Sequence, residues 1–171
     1  MGGARRVLPP VRYVLHHDLD PDTLNEESLG WLLAGYRFRA GPAASGPELA
    51  TLVAPKGTDA ARLETIAAAE ALTRDLINTP ASQLGPEDLE HAVTNLATRF
   101  GAKISAIRGD DLLDQNLPLL HAVGRASDRS PRLLDMRWGG TGPKLTLVGK
   151  GVCFDTGGLN LKPGASMGLM K

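Results

Sequence analysis

The pattern of apolar and polar residues predicts two long helices in the middle of the chain. The first begins near Thr58 or Asp59 and ends before Asn78, because the nearby Pro80 lacks an amide hydrogen and disfavours helical geometry before it. The second begins at Pro86, with acidic residues in its first turn, and ends at a glycine. Residues at helical spacing predict the buried stripes: Leu63, Ile66, Ala69, Thr73 and Leu76, then Leu89, Val93, Leu96 and Phe100.

Shorter apolar runs predict strands on both sides of these helices. Strands that alternate with helices are typical of an α/β fold with a partly parallel sheet. The loop-like stretch over 40–47 and the residues after it suggest a domain boundary, with one domain ending in 1–57 and a larger one beginning in 58–171. The predicted strands are 11–15, 48–54, 102–107, 132–138 and 144–148, and the predicted shorter helices lie within 24–39 and 110–123.

Composition narrows the class of protein. An apolar fraction of 42% and a charged fraction of 22% are typical of a globular protein. The formal net charge of zero gives no electrostatic case for nucleic acid or a membrane surface. Cys153 is the single cysteine, which excludes an intrachain disulfide and favours a reducing compartment. With no signal-peptide region and no apolar run of membrane length, we expect a soluble, cytoplasmic protein.

Three charged residues near the end of the chain are the strongest chemical signal. Lys150, Asp155 and Lys162 lie in an apolar, glycine-rich run. Burying a charge beside apolar residues costs free energy unless the charge has a partner or a functional role. Two glycines at 157–158 predict a tight hairpin, which would put Asp155 and Lys162 on one side. The glycines beside Lys150 permit a bulge that turns it the same way, without requiring one. On spacing alone, an ordinary surface ion pair remains open.

The last part of the chain strongly resembles a known family. Val148–Lys171 is similar to the metal-binding segment of the leucine aminopeptidases, also called cytosol aminopeptidases. Arg74–Ala81 and Leu84–Leu89 resemble the start of that family's catalytic domain, and Gly30–Phe38 resembles the close of its N-terminal domain. The resemblance implies the end of a small N-terminal α/β domain, followed by the first part of a three-layer α/β/α catalytic domain with a mixed, partly parallel sheet.

The resemblance also implies a site and a reaction. Lys150 and Asp155 would ligate two divalent metal ions, Zn²⁺ or Mn²⁺, with Asp155 bridging them, and Lys162 would be catalytic without binding metal. Lys150 must then be a neutral amine, whereas Lys162 must be a cation that polarises the scissile carbonyl. The implied reaction is hydrolysis of N-terminal residues, with leucine preferred, from peptides by a water that the two metals activate.

The resemblance carries expectations about assembly and completeness. The family's next aspartate ligand would fall just beyond Lys171, and its later Asn-Thr-Asp-Ala-Glu-Gly-Arg segment does not occur here. We therefore expect a truncated chain that is inactive alone. The expected partners are peptide substrates and, for the full-length parent, identical subunits in a hexamer. No membrane partner is expected, and nucleic acid is not indicated.

The sequence also bears on two other functions. A non-catalytic binding or assembly protein derived from the same family remains open. A phosphate-binding loop at Val148–Gly151 is disfavoured, because a Walker motif needs serine or threonine after its lysine and this chain has glycine there. Cys153, where the family often has threonine, is expected to be a packing residue, as are Met167 and Met170.

Overall fold

The computed structural model describes residues 1–39, 48–155 and 161–171. It divides the chain into two compact units, Met1–Asn78 and Thr79–Lys171. The predicted domain boundary between residues 57 and 58 stays a prediction. In the described ranges, no helix has both the length and the apolar character that crossing a membrane requires.

Among its described residues, the first unit contains two α-helices, one short 3₁₀-helix at Gly2–Arg6 and one short pair of strands. Helix α1 spans Pro21–Leu33 and helix α2 spans Ala60–Asn78. Strands β1, Arg12–Tyr13, and β2, Thr51–Leu52, pair in parallel. Burial of apolar side chains stabilises this arrangement, and those with the least exposure are Leu24, Trp31, Ala50 and Leu63.

Helix α1 begins and ends earlier than the sequence pattern predicts. The Asp20 carboxylate caps it by accepting hydrogen bonds from two first-turn amides at 3.1 Å, and Pro21 follows with its φ already suited to a helix. Within the predicted range 24–39, the helix ends at Leu33, so Tyr36 lies beyond it. There the Arg5 guanidinium donates to two last-turn carbonyls at 2.9 Å, which satisfies acceptors that a helix end leaves open.

Among its described residues, the second unit contains one long helix, three short ones and an antiparallel pair of strands. Together with the parallel pair of the first unit, this confirms the predicted mixed α/β class. Its most buried apolar side chains are Leu84, Ala97 and Leu112. The elements are α3 (Pro86–Phe100), β3 (Lys103–Arg108), α4 (Asp111–Asp114), α5 (Pro118–Gly124), β4 (Arg132–Arg137) and α6 (Gly164–Met167).

Helix α3 has the predicted ends, but part of its predicted buried stripe is exposed. It begins at Pro86, and Gly101 takes a left-handed φ of 65°, a conformation that favours glycine at a helix C-terminus. Phe100 is 47% exposed, whereas Glu90 is only 8% exposed. The helix therefore turns an acidic side chain inward, and that side chain needs partners of opposite charge.

Glu90 finds those partners on both strands of the sheet. Its carboxylate accepts hydrogen bonds from Nε of Arg108, on β3, at 3.0 and 3.1 Å, and from Nη1 of Arg132, on β4, at 2.6 Å. Hydrogen bonds from Arg108 and then Arg132, together with their charges, outweigh desolvation and lower the pKa of Glu90 to about 2. One ionised carboxylate thus joins α3 to β3 and β4.

The predicted strand at 144–148 is wrong. Residues 143–150 have no regular secondary structure, and the side chains of Leu145, Leu147 and Val148 are 83%, 86% and 93% exposed. A strand needs a neighbour for its backbone hydrogen bonds, and within the described ranges no strand pairs with this segment. The turn of the predicted hairpin lies outside the described residues, and 152–155, in its first arm, is irregular.

Replacing Glu90 by Gln is expected to lower the free energy of unfolding by about 2 kcal/mol at pH 7, because charge-assisted hydrogen bonds to two arginines are lost. The folded pKa of about 2 lies below the ordinary value of 4.5. The contribution is therefore present above pH 4.5 and is lost as the pH falls from 4.5 towards 2. Urea unfolding at pH 7 and pH 3 measures the difference between the two proteins, which should shrink at pH 3.

Asp135→Asn provides the matched control for this prediction. It removes a carboxylate from the same unit, but Asp135 pairs with Arg137 at an exposed position. Exposed ion pairs contribute little to stability, so the control should shift the urea midpoint much less. Equal midpoints for Glu90→Gln and the parent protein at pH 7 would contradict the stabilising role of Glu90.

Candidate functional site

An open cleft of about 1120 Å³ lies within the second unit. Helix α3 forms one wall with Pro86, Leu89 and Val93, strand β4 contributes another, and the segment 149–155 lines the same space. A Cβ on Gly151 would lie 2.7 Å from a methyl carbon of Leu89. Glycine therefore lets the charged segment approach the apolar face of α3 closely.

Two of the predicted site residues line this cleft. Lys150 and Asp155 both belong to its lining. Lys150 is exposed, and its carbonyl accepts a hydrogen bond from the amide of Val152 at 3.0 Å, which tightens the chain at this point. The Asp155 side chain is 60% exposed. The structure thus puts both predicted metal ligands at one cleft, while their roles stay predictions.

The third predicted residue, Lys162, contacts Asp155 directly. Its ammonium nitrogen lies 3.0 Å from Oδ1 of Asp155 and donates to the main-chain oxygen of Asp155 at 3.0 Å. The Lys162 side chain is 30% exposed. The lysine therefore forms an ion pair with the acid, and its predicted catalytic role is that of an ammonium ion. That role also stays a prediction.

Met170 belongs to this cluster, although the sequence indicated only a packing role for it. Its carbonyl accepts a hydrogen bond from the amide of Asp155 at 3.1 Å, and its sulfur lies 3.1 Å from the ammonium nitrogen of Lys162. Helix α6 makes these contacts possible, because its single turn brings the chain back towards Asp155. No local sequence pattern indicates that the chain approaches Asp155 again after α6.

The donor chemistry of the cleft fits part of a divalent metal site. A carboxylate oxygen and a neutral lysine amine are both donors for Zn²⁺ or Mn²⁺, and Asp155 already attracts a cation, the Lys162 ammonium. Among the residues that the structure describes, no three His, Cys, Asp or Glu side chains form a group able to hold a metal ion. Lys150 and Asp155 thus fit as two members of a larger ligand set.

Cys153 lies in the cleft lining but has little reactive character. Burial is the largest influence on its thiol and raises the pKa. Its Sγ lies 3.8 Å from the carbonyl oxygen of Gly151. Because the thiolate is the nucleophile and the metal ligand, a raised pKa favours the predicted packing role.

Arg129 is a cleft residue that the sequence did not single out. Its guanidinium donates to the carbonyl of Ser82 at 3.1 Å and lies 3.4 Å from the Glu87 carboxylate and 3.5 Å from that of Asp88. A Cβ on Gly85 would overlap this guanidinium. The sequence signal for this position is the run Gly85–Asp88, in which a glycine and a proline precede two acids. The glycine leaves room for an arginine beside the start of α3, and the two acids attract its charge.

Comparison with known protein families gives a match over much of the chain. Residues 71–171 match the profile described as the cytosol aminopeptidase family, catalytic domain. The probable cytosol aminopeptidase of Corynebacterium glutamicum is 45% identical over 98 residues, which are 56% of this chain and 20% of that protein. Peptidase B of Enterobacter sp. is 48% identical over 106 residues, which are 57% of this chain and 25% of that protein.

Solved structures give the same relationship through the fold. The cytosol aminopeptidase of Coxiella burnetii has a TM-score of 0.89 and 43% identity, covering 99% of this chain and 37% of that one. The bottromycin maturation enzyme BotP, solved in complex with Mn, has a TM-score of 0.72 and 30% identity, covering 96% of this chain and 37% of that one.

The leucyl aminopeptidase of Trypanosoma brucei, solved in complex with bestatin, has a TM-score of 0.75 and 25% identity, covering 94% of this chain and 32% of that one. The chain therefore spans well under half the length of these relatives. Because the family profile matches more than half of its residues, the chain belongs to the cytosol aminopeptidase family.

Proposed function

We propose that the complete protein containing this chain is a metal-dependent aminopeptidase that removes N-terminal residues, leucine by preference, from peptides. The observation that supports it most directly is the cleft that carries Lys150 and Asp155, with Lys162 in contact with Asp155, in a chain of this family. The 171-residue chain alone is inactive in this proposal, because the residues that the structure describes supply only part of the proposed ligand set.

The proposed roles follow from the chemistry of each side chain. Lys150 and Asp155 hold two divalent ions, Zn²⁺ or Mn²⁺; the relative solved in complex with Mn supports a metal in this family. When bound, such ions would lower the pKa of a coordinated water towards about 7 and so supply a nucleophile. Lys150 must be a neutral amine to donate, whereas Lys162 stays an ammonium ion.

Lys162 acts on the substrate rather than on a metal in this proposal. Its ammonium donates a hydrogen bond to the carbonyl oxygen of the scissile peptide bond and stabilises the negative charge that develops there. Asp155 keeps the ammonium in place through the contact at 3.0 Å. The complete protein is further proposed to act on peptides in the cytoplasm as a hexamer, and the names of the cytosol aminopeptidase relatives support that location.

The first test compares the 171-residue chain with the complete gene product on a leucine-initiated dipeptide. We expect no turnover from the chain by itself, and turnover from the complete protein that a chelator abolishes and added Mn²⁺ or Zn²⁺ restores. Turnover by the chain alone would contradict its proposed inactivity. A complete protein with no turnover would instead favour a non-catalytic member of the family.

The second test separates Lys162 from the proposed ligands in the complete protein. Lys162→Ala should lower kcat by about 100-fold to 1000-fold, the range for loss of one oxyanion-stabilising donor, with metal content unchanged. Asp155→Asn should lose bound metal as well as activity, because it removes a proposed bridging carboxylate. Activity assays paired with elemental analysis of dialysed protein measure both effects.

Lys144→Ala is the control for these substitutions, because Lys144 is an exposed lysine outside the cleft lining. It should change neither kcat nor metal content. Loss of metal from Lys162→Ala would show that Lys162 is itself a ligand, contrary to the proposed division of roles.

A further inference from the structure

The backbone between the two proposed metal ligands passes very close to one side chain of helix α3. A Cβ on Gly151 would lie 2.7 Å from a methyl carbon of Leu89, which is closer than two carbon atoms in van der Waals contact approach each other. Gly151 follows Lys150 directly and comes four residues before Asp155. The contact therefore lies within the short segment that carries both proposed ligands.

Glycine is needed at position 151 for reasons of space and not of backbone conformation. Gly149 and Gly151 both lack the left-handed φ that favours glycine. A Cβ on Gly149 would have no neighbouring atom within 4 Å. Alanine therefore fits the backbone at both positions, but its methyl group would overlap Leu89 at Gly151 and meet open space at Gly149.

Leu89 lies on the more firmly held side of this contact. Its amide donates to the carbonyl of Gly85 at 3.0 Å, and the next residue, Glu90, joins α3 to both strands of the sheet. Residues 149–152, in contrast, have no regular secondary structure. A methyl group added at Gly151 would therefore displace this segment more readily than it would displace the helix.

Asp155 is held at the other end of the segment by contacts of its own. Its amide donates to the carbonyl of Met170 at 3.1 Å, and its carboxylate lies 3.0 Å from the ammonium nitrogen of Lys162. A displacement at Gly151 would therefore move Lys150 while Asp155 keeps its place. The contact with Leu89 thus influences the separation between the two proposed ligands.

We propose that Leu89 is a positioning residue, whose side chain sets how closely the backbone at Gly151 approaches α3 and thereby where Lys150 lies relative to Asp155. The proposal rests on the metal-binding roles proposed above for Lys150 and Asp155. Ligands that are already held at the right separation bind a metal ion more tightly, because less ordering accompanies binding.

Cys153, two residues from Gly151, provides a measure of the segment's position that needs no metal. In the metal-free complete protein, Gly151→Ala should raise the rate at which DTNB modifies Cys153 about fivefold, because the overlap moves the segment away from α3 and exposes the thiol. A Cys153→Ser variant gives the background from any other thiol. Gly149→Ala is the matched control and should leave the rate within about twofold of the parent.

A double-mutant cycle with Leu89→Ala tests whether Leu89 is the cause, because the smaller side chain makes room for the added methyl group. In the Leu89→Ala background, Gly151→Ala should change the thiol rate by less than about twofold. The full increase in that background would assign the effect to another neighbour and overturn the role of Leu89. An unchanged rate in Gly151→Ala alone would overturn it as well. Circular dichroism checks that each variant is folded.

Equilibrium dialysis against Mn²⁺ measures the consequence for the proposed metal site in the complete protein. Gly151→Ala should raise the Kd for Mn²⁺ about tenfold, as substitutions of groups that orient metal ligands do. The double variant with Leu89→Ala should bind Mn²⁺ more tightly than Gly151→Ala alone. Gly140→Ala, at an exposed glycine outside the cleft lining, should leave the Kd unchanged.

Lys150→Met and Asp155→Asn separate a failure of this proposal from a failure of the proposed function. Each removes a proposed donor, so each should weaken Mn²⁺ binding. If both variants kept the parent affinity, the proposed ligand roles would fail. If both lost affinity while Gly151→Ala kept it, despite a faster thiol reaction, the positioning role of Leu89 alone would fail.

Discussion

The shared carboxylate of Glu90 is the constraint on which the second unit depends. It is an acidic group on a helix that would otherwise bury apolar residues, and it is stabilised by guanidinium groups from two different strands. Arg132, one of these partners, also lines the cleft. The same charge network that holds α3 to the sheet therefore sets two walls of the space in which the candidate site lies.

The candidate residues themselves are held in a different way. They lie on irregular backbone, and a glycine at 151, a single helical turn and the mutual contacts of Asp155, Lys162 and Met170 position them. Charged groups on a strand or helix would keep their directions through the ladder of backbone hydrogen bonds. Here the side chains hold one another, so each contact within the cluster has more influence on geometry than a similar contact in the sheet.

Local signals explain what the sequence predicts well. The ends of α3 follow from Pro86 and Gly101, because a proline and a left-handed glycine act on their immediate neighbours. The strand at 144–148 is not formed because strands depend on a partner elsewhere in the chain. The burial of Glu90 escaped prediction for the same reason, since its arginine partners come from strands far along the sequence. The three site residues follow from family resemblance, whereas Met170 needs the return of the chain at α6.

The exposed apolar segment at 144–148 affects how copies of the chain associate in solution. Its leucines and valine face solvent, and in the part of the chain that the structure describes no strand pairs with it. Its backbone N–H and C=O groups are therefore open to pairing with another chain. Only Lys144, at its beginning, interrupts the apolar run with a charge. The chain has zero net charge at neutral pH, so long-range repulsion does not keep copies apart. This stretch, which lies within the second unit, therefore promotes association between copies of the chain at high concentration.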